Sequence, residues 1–122
     1  MEKFRTLHVY QKALEFTKVV GKTTKSFPKD ELFGLISQFR RASDSIVLNI
    51  AEGAGNSSKK EFARFLDFSI RSGFECIGCL DIGIANDYIE KENYENLLSD
   101  VNEIIAMLYG LKKSLLKTNS IA

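Results

Sequence analysis

Two cysteines, Cys76 and Cys79, lie two residues apart in the stretch CIGC. This spacing serves dithiol–disulfide exchange at a helix N-terminus, or zinc binding together with two further Cys or His ligands. The chain has no other cysteine and a single histidine, His8, which has no partner residue at motif spacing. The motif also falls in the middle of a helical pattern. We therefore predict two apolar core residues, no metal site and no cofactor.

The stretch NIAEGAGNSSKKEF, residues 49–62, raises the question of a phosphate-binding loop. Such a loop needs G-x-x-x-x-G-K-[ST] or G-x-G-x-x-G between a strand and a helix. Neither pattern is complete here, and no strand pattern precedes the glycines. Ser58 and Glu61 instead match the capping box S-x-x-E, in which each side chain bonds the other residue's backbone N–H. The stretch therefore predicts a turn between two helices.

Glu52 and Glu75 each stand among apolar residues in the sequence. A buried carboxylate must be paired or protonated, and a protonated one can serve as a general acid. No nucleophile, base or metal-ligand set accompanies them, so we disfavour a hydrolase and expect carboxylates paired at a helix end or interface. Asn49 is a polar residue in an apolar seam, where such residues commonly fix register or assembly state.

Five basic residues are the strongest candidates for binding an anionic partner: Arg40, Arg41, Lys59, Lys60 and Arg64. Lysine and arginine on rigid helices can neutralise phosphates, and a helix N-terminus adds to the attraction. Asp44 follows the two arginines by four and three residues, so intrahelical ion pairs are an alternative for part of this set.

The charge of the chain is divided unevenly along the sequence. Residues 1–71 carry a net charge of +5 and residues 72–122 a net charge of −4, which leaves +1 in total. This asymmetry allows a basic surface for an anionic partner. The alternative is that the two halves neutralise each other when they pack side by side.

Apolar residues recur at helical spacing nearly throughout and predict four helices, at about 6–25, 29–54, 59–85 and 91–117. In the second helix the apolar seam starts at Leu32. Long helices joined by short turns pack best as an all-α, up-down-up-down antiparallel four-helix bundle, here a single domain over 1–122. There is no membrane-spanning apolar run and no signal-peptide pattern, and the cysteine usage suits a reducing compartment. We therefore expect a cytoplasmic protein.

The second and third predicted helices are apolar on more than one face. The residues that point away from the bundle seam are Phe33, Val47, Leu48, Phe68, Phe74 and Ile82. Because contiguous exposed apolar patches usually mark an interface, we expect a homo-oligomer that buries these positions. The alternative is that both helices are central and covered by their neighbours within one chain.

Two stretches, SQFRRASDSIVLNIAEGAG and SKKEFARFLDFS, closely resemble the bacterial four-helix-bundle proteins encoded in intervening sequences of 23S ribosomal RNA genes. The opening LHVYQKALEF and the connector FPKDELFGL look like the same family's first helix and first turn, so the resemblance covers about residues 4–115. The chain has Tyr10 where the family usually has tryptophan, and Asn86-Asp87 where the family has a glycine-containing turn.

The resemblance implies a left-handed bundle that assembles as a ring, most often a pentamer, without established enzymatic activity. Related accessory variability proteins of diversity-generating retroelements are basic rings that bind nucleic acid and a reverse transcriptase, and this chain is less basic. The motif residues Arg40, Arg41, Asn49 and Glu52 match the family by position. Their density on one helix suggests a polar network at a subunit interface or along the pore of the ring.

These observations predict a non-enzymatic, homo-oligomeric scaffold that binds structured RNA or a nucleic-acid-handling protein. The alternative is a protein–protein assembly factor that does not bind nucleic acid. Its outer apolar residues would then hold a partner protein.

Overall fold

The computed structural model describes residues 2–119, and the side chains of residues 2–117. After a 3₁₀ turn at Lys3–Thr6, four α-helices account for most of the chain. They are α1 (His8–Thr24), α2 (Ser37–Ala54), α3 (Lys59–Ala85) and α4 (Lys91–Asn119). Among residues 2–119 there is no β-strand. The all-α prediction is confirmed.

Contacts between side chains show that neighbouring helices are antiparallel. Ser69 on α3 donates to the carbonyl of Ile46 on α2 at 2.8 Å, while further along α3 the Ser72 hydroxyl meets the earlier Ser45 at 2.8 Å. On α4 the order is again reversed, since Tyr94 bonds Asp81 and the later Lys112 pairs with the earlier Asp67. Helix α1 packs on both α2 and α4, which closes a four-helix bundle.

The core lies along the inward side of each helix. Its largest fully buried side chains come from all four helices: Val20, Phe39, Ile46, Ile50, Leu66, Leu80, Leu97, Val101, Ile104 and Leu108. Burying a side chain of this size contributes about 1.5–3 kcal/mol, so this layer supplies most of the favourable free energy of folding.

The segment before α2 departs from the prediction of a continuous helix from residue 29. Residues 29–31 form a 3₁₀ turn and residues 32–36 a single π turn. Gly34 has φ −109° and ψ −110°, and a Cβ at this position would lie 2.9 Å from Oε1 of Glu31. The Glu31 carboxylate in turn accepts from the backbone N–H of Leu35 at 3.2 Å. This irregular turn leaves Leu32 half-exposed, so its predicted seam position is wrong.

The turn before α4 is built without glycine. Asp87 has φ 61°, the only positive value outside glycine among the described residues. Aspartate tolerates this left-handed conformation better than most residues because its short side chain bonds the local backbone. The Asn86-Asp87 pair can therefore replace a glycine-containing turn.

Close helix packing at Gly53 gives a first prediction. A Cβ there would lie 2.6 Å from the Cβ of Phe65, which is fixed to the α3 backbone and cannot rotate away. We expect Gly53→Ala to lower the free energy of unfolding by about 1–3 kcal/mol, because α2 and α3 must move apart. Urea unfolding followed by circular dichroism measures this change.

The control for this prediction is Gly78→Ala, since a Cβ at Gly78 would meet nothing within 4 Å. Alanine in a helix interior is more favourable than glycine by about 1 kcal/mol, so this variant is expected to gain stability. Equal stability of Gly53→Ala and the wild type would mean that α2 and α3 are not closely packed at this point.

Candidate nucleic-acid interface and assembly surface

The first predicted phosphate ligand, Arg40, makes its contacts inside the chain. Its Nε donates to Oγ1 of Thr24 at 2.9 Å and its Nη2 to the carbonyl of Gly21 at 3.4 Å. Thr24 is fully buried, and its hydroxyl donates to the carbonyl of Val20 at 2.8 Å. Arg40 therefore holds the end of α1 against α2, in contrast to the prediction of a guanidinium free for phosphate.

Arg41 and Glu52 both project from the exposed side of α2. Within residues 2–117 neither Arg40 nor Arg41 forms an ion pair with Asp44, so the intrahelical pairs are not formed. Arg41 and Glu52 are eleven residues apart, which places them on one stripe of the helix about 16 Å apart along its axis. They cannot pair within one chain, although a second copy could bring opposite charges to each.

The start of α3 presents Lys59 and Lys60 to solvent. Ser58 caps the helix by accepting from the backbone N–H of Glu61 at 3.1 Å. The Glu61 carboxylate does not return to Ser58 as the capping box predicts. It accepts instead from Nε of Arg64 at 2.8 Å and from the Nη2 of the same guanidinium, and this bond lowers the pKa of Glu61.

The five predicted basic residues do not form one site. Ser45 lies opposite Ser72, so Arg41, one turn before Ser45, lies level with the stretch of α3 near Cys76. Lys60 precedes that level by sixteen residues, a distance of more than about 20 Å along the helix. Lys59, Lys60 and Arg64 therefore belong to one end of the bundle, Arg41 lies nearer its middle, and Arg40 lies beside the last turn of α1 at the opposite end.

A larger basic cluster forms where three chain segments meet, and we call it the basic end. It comprises residues 2–8, 48–67 and 108–117, with eight lysine or arginine residues and four acidic ones. The N-terminal turn lies beside the end of α2, since Lys3 and Leu7 share a small cavity with Gly55. Lys112 of α4 pairs with Asp67 of α3 at 2.8 Å, which brings the lysines of α4 to the same end.

The opposite end of the bundle is acidic. It comprises residues 20–40 and 78–95, with five basic residues, Arg40 included, and seven acidic ones, and we call it the acidic end. Its segments are joined by a hydrogen bond of 2.9 Å from the Tyr88 hydroxyl to the Glu31 carboxylate and by contact of the rings of Phe27 and Tyr88. The bundle thus carries opposite net charges at its two ends.

Four of the predicted outward apolar residues are exposed. The exposed fraction is 93% for Phe33, 64% for Leu48, 53% for Phe74 and 50% for Ile82. Val47 is buried, and its prediction as an outward-facing interface residue is wrong because its side chain belongs to the core of the bundle.

Asn49 belongs to a polar contact inside the chain. Its Nδ2 donates to the carbonyl and to the hydroxyl of Ser45, both at 2.9 Å, and that hydroxyl also accepts from Ser72 at 2.8 Å. This chain of hydrogen bonds joins α2 to α3 and fixes their register. The register role predicted for a polar seam residue therefore has a concrete basis within one subunit.

The two candidate carboxylates are exposed, in contrast to the burial expected of a general acid. Glu52 precedes Gly53, which contacts Phe65, and Glu75 lies ten residues beyond Phe65 on α3. Their separation along the bundle is therefore about 15 Å, too far for one pair of acid and base.

The two cysteines are buried, and both thiols are free. Burial, together with the charges of Cys79 and Glu75, raises the pKa of Cys76 far above its usual range. Burial and the charge of Glu75 raise the pKa of Cys79 to about 11. A redox cysteine needs the opposite shift. No group of three potential metal ligands occurs among the described residues.

These pKa shifts predict a loss of stability at alkaline pH. The folded state favours the neutral thiol of Cys79, so its contribution is complete below the ordinary pKa of 9.0 and is lost as the pH rises through about 11. The free energy of unfolding, measured between these two values, is expected to fall less for Cys79→Val than for the wild type. An identical fall in both proteins would contradict the shift.

One cluster on α3 was missed by sequence reasoning. Arg64 lies over the rings of Phe65 and Phe68, with its guanidinium carbon 5.0 and 5.2 Å from the ring centroids, and Arg71 lies 5.6 Å from Phe68. The two rings meet edge to face at 5.6 Å. The spacing R-F-x-x-F-x-x-R places these side chains on adjoining faces of a helix and could have revealed them. Phe68 is thus half-buried, with two guanidinium groups near its ring, and its predicted role in an apolar interface stays a prediction.

The fold and these surfaces define a small four-helix-bundle protein with oppositely charged ends. It has exposed apolar residues on α2, on α3 and on the segment before α2. The chain belongs to the 23S rRNA-intervening sequence protein family, whose profile matches residues 5–110. Among residues 2–119, no helix combines the length and apolar character needed to cross a membrane.

A solved structure supports the same fold. It is a crystal structure of a protein of unknown function from the S23 ribosomal protein family of Bacteroides thetaiotaomicron VPI-5482. The two chains are 28% identical and superimpose with a TM-score of 0.78, over 86% of this chain and 98% of the other. No curated protein matches this chain.

Proposed function

We propose that this protein is a non-enzymatic, homo-oligomeric scaffold of the cytoplasm that binds structured RNA through the basic end of its bundle. The observation that carries the proposal is the separation of charge between the two ends. Lysines held on rigid helices neutralise phosphates, and the ligand's negative charge is repelled by the acidic end, which orients it.

Within the basic end, the lysines that best suit phosphate contacts are those without an acidic partner. Among residues 2–117, Lys3, Lys59, Lys60 and Lys113 form no ion pair, whereas Arg5, Arg64 and Lys112 each have one. Lys59 and Lys60 also stand at the N-terminus of α3, where the backbone N–H groups and the helix dipole favour an anion.

Self-association is the second part of the proposal. Leu48, Phe74 and Ile82 leave at least half of each side chain in water, a cost that a neighbouring subunit would remove. Arg41 and Glu52, which cannot pair within one chain, offer opposite charges to a second copy. We propose a cyclic assembly, for which five subunits is the size that the family resemblance implies.

A cyclic assembly would reinforce the RNA site. Rotation about a single axis places every subunit in an equivalent position, so all basic ends would stand at the same level of the ring. Their fields add, and a ligand long enough to contact several subunits gains from multivalency.

Titration of a labelled RNA hairpin with the protein at several salt concentrations, followed by fluorescence anisotropy, tests the RNA site. Each phosphate contact releases counterions, so log affinity is expected to fall against log salt by about 0.7–0.9 per contact. Absence of binding, or binding indifferent to salt, would overturn the RNA site and favour a protein–protein assembly factor.

A further inference from the structure

The cluster of Arg64, Phe65, Phe68 and Arg71 is only partly explained by the packing of the bundle, in which the Cβ of Phe65 approaches Gly53 of α2. Neither phenylalanine is among the core side chains or the partly buried residues that pack on them. Both rings are nevertheless held in a defined arrangement, edge to face with centroids 5.6 Å apart. We call this set the arginine–phenylalanine cluster.

The cations of the cluster are also placed unusually. Arg64 is held by its hydrogen bonds to Glu61, and its guanidinium carbon lies 5.0 Å from the ring centroid of Phe65 and 5.2 Å from that of Phe68. Arg71 forms no ion pair among residues 2–117 and lies instead over Phe68, at 5.6 Å. Both arginines are exposed and both phenylalanines are half-buried. A cation–π contact near the surface contributes only about 0.5–1 kcal/mol, so the arrangement adds little to the stability of a single helix.

The chemistry of this surface fits unpaired nucleotides. A nucleobase stacks on a phenylalanine ring or on a guanidinium plane, and the charge of the same guanidinium attracts the adjacent phosphate. Lys60 lies one turn before Arg64 on α3, so the cluster is continuous with the basic end. Paired bases in a duplex hide their faces and could use only the phosphate contacts.

We infer that the arginine–phenylalanine cluster binds unpaired bases of the RNA by stacking, with Phe68 as its central platform. The inference rests on the proposed function and specifies its ligand, an RNA with a single-stranded loop or end beside a helical stem. The basic end supplies phosphate contacts that both strands of a stem can make, and the cluster distinguishes looped from fully paired RNA.

Three RNAs separate these contributions: a hairpin with an unpaired loop, a blunt duplex of the same stem, and the loop strand alone. Phe68→Leu keeps the apolar volume and removes the aromatic face. Because base–aromatic stacking contributes about 1–3 kcal/mol per base, this variant is expected to bind the hairpin and the loop strand about 5- to 150-fold more weakly. Its affinity for the duplex and its salt slope stay unchanged. The comparison variant is Phe74→Leu, since Phe74 is an exposed phenylalanine of α3 with no arginine over its ring among the described residues. Because Phe74 also belongs to the proposed assembly surface, the affinity of both variants is compared per subunit after the mass of each assembly has been measured.

A second variant reports the contact directly. The chain contains no tryptophan, so Phe68→Trp places a single tryptophan on the platform, which can be excited selectively beside the four tyrosines and keeps an aromatic face. Its fluorescence is expected to be quenched by the loop strand and the hairpin, and not by the duplex.

The outcomes are separable. If the wild type binds the hairpin and Phe68→Leu binds it equally well, the stacking inference is overturned and the proposed function stands. If Phe68→Leu changes the mass of the assembly and leaves the affinity per subunit intact, the cluster is a subunit contact and the inference fails. If the wild type binds none of the three RNAs, the proposed RNA site and the inference both fail.

Discussion

Replacing Lys59 and Lys60 with glutamate is expected to weaken binding of the RNA hairpin by at least about tenfold and to make the salt slope shallower by about two units. The slope is the more specific quantity, because it counts phosphate contacts and is insensitive to stacking. Both residues are exposed, and neither forms an ion pair among residues 2–117, so the substitutions break none, although the charge of Lys60 contributes to the lowered pKa of Glu61. Glutamate at the first turn of α3 also suits the helix dipole, so the variant is expected to remain folded.

The matched control reverses the charge of two lysines at the acidic end of the bundle. Lys25 and Lys29 are exposed and form no ion pair among residues 2–117, and their replacement by glutamate changes the net charge by the same amount. If the basic end is the site, this variant keeps the wild-type slope and loses little affinity. An equal loss in both variants would show that the RNA responds to net charge alone, which would contradict a localised site.

The seams of the four helices could be predicted because burial follows the helical repeat. On α3 the positions spaced by three and four residues include Leu66, Cys76 and Leu80, and all three are buried. The prediction fails at Leu32, where the backbone conformation of Gly34 breaks the repeat. The prediction also fails at Val47, because the spacing of apolar residues within α2 does not indicate which of its faces other helices will cover.

The candidate site was harder to predict because it depends on which helix ends meet. The sequence divides into a basic first part and an acidic second part, which suggests two halves that neutralise each other. In the bundle the helices alternate in direction, and α4 carries acidic residues at its start and lysines at its end. The charges are therefore sorted by the ends of the bundle. Arg40 illustrates the same limit, since its partner Thr24 lies sixteen residues away on another helix.

The second large effect concerns assembly. We expect the wild type to have a mass that is a multiple of 13.8 kDa by light scattering, and Leu48→Lys and Ile82→Lys to have a mass near 13.8 kDa. Burying an apolar side chain of this size contributes about 1.5–3 kcal/mol, and a lysine at the same position must be desolvated or excluded from the interface. In a cyclic assembly every subunit carries the substitution, so the loss is repeated at each interface.

Leu14 provides the control for assembly, since it is 42% exposed and lies on α1, outside the proposed interface. Leu14→Lys is expected to keep the wild-type mass, because its charge stays in water. A wild-type mass of 13.8 kDa would contradict self-association outright. If Leu14→Lys also dissociates the assembly, the interface extends to α1 and the α2–α3 side is not sufficient to define it. If only Leu48→Lys and Ile82→Lys dissociate the assembly, the interface is the α2–α3 side of the bundle. Arg41 and Glu52, which do not pair within one chain, are then the charges that a second copy can pair.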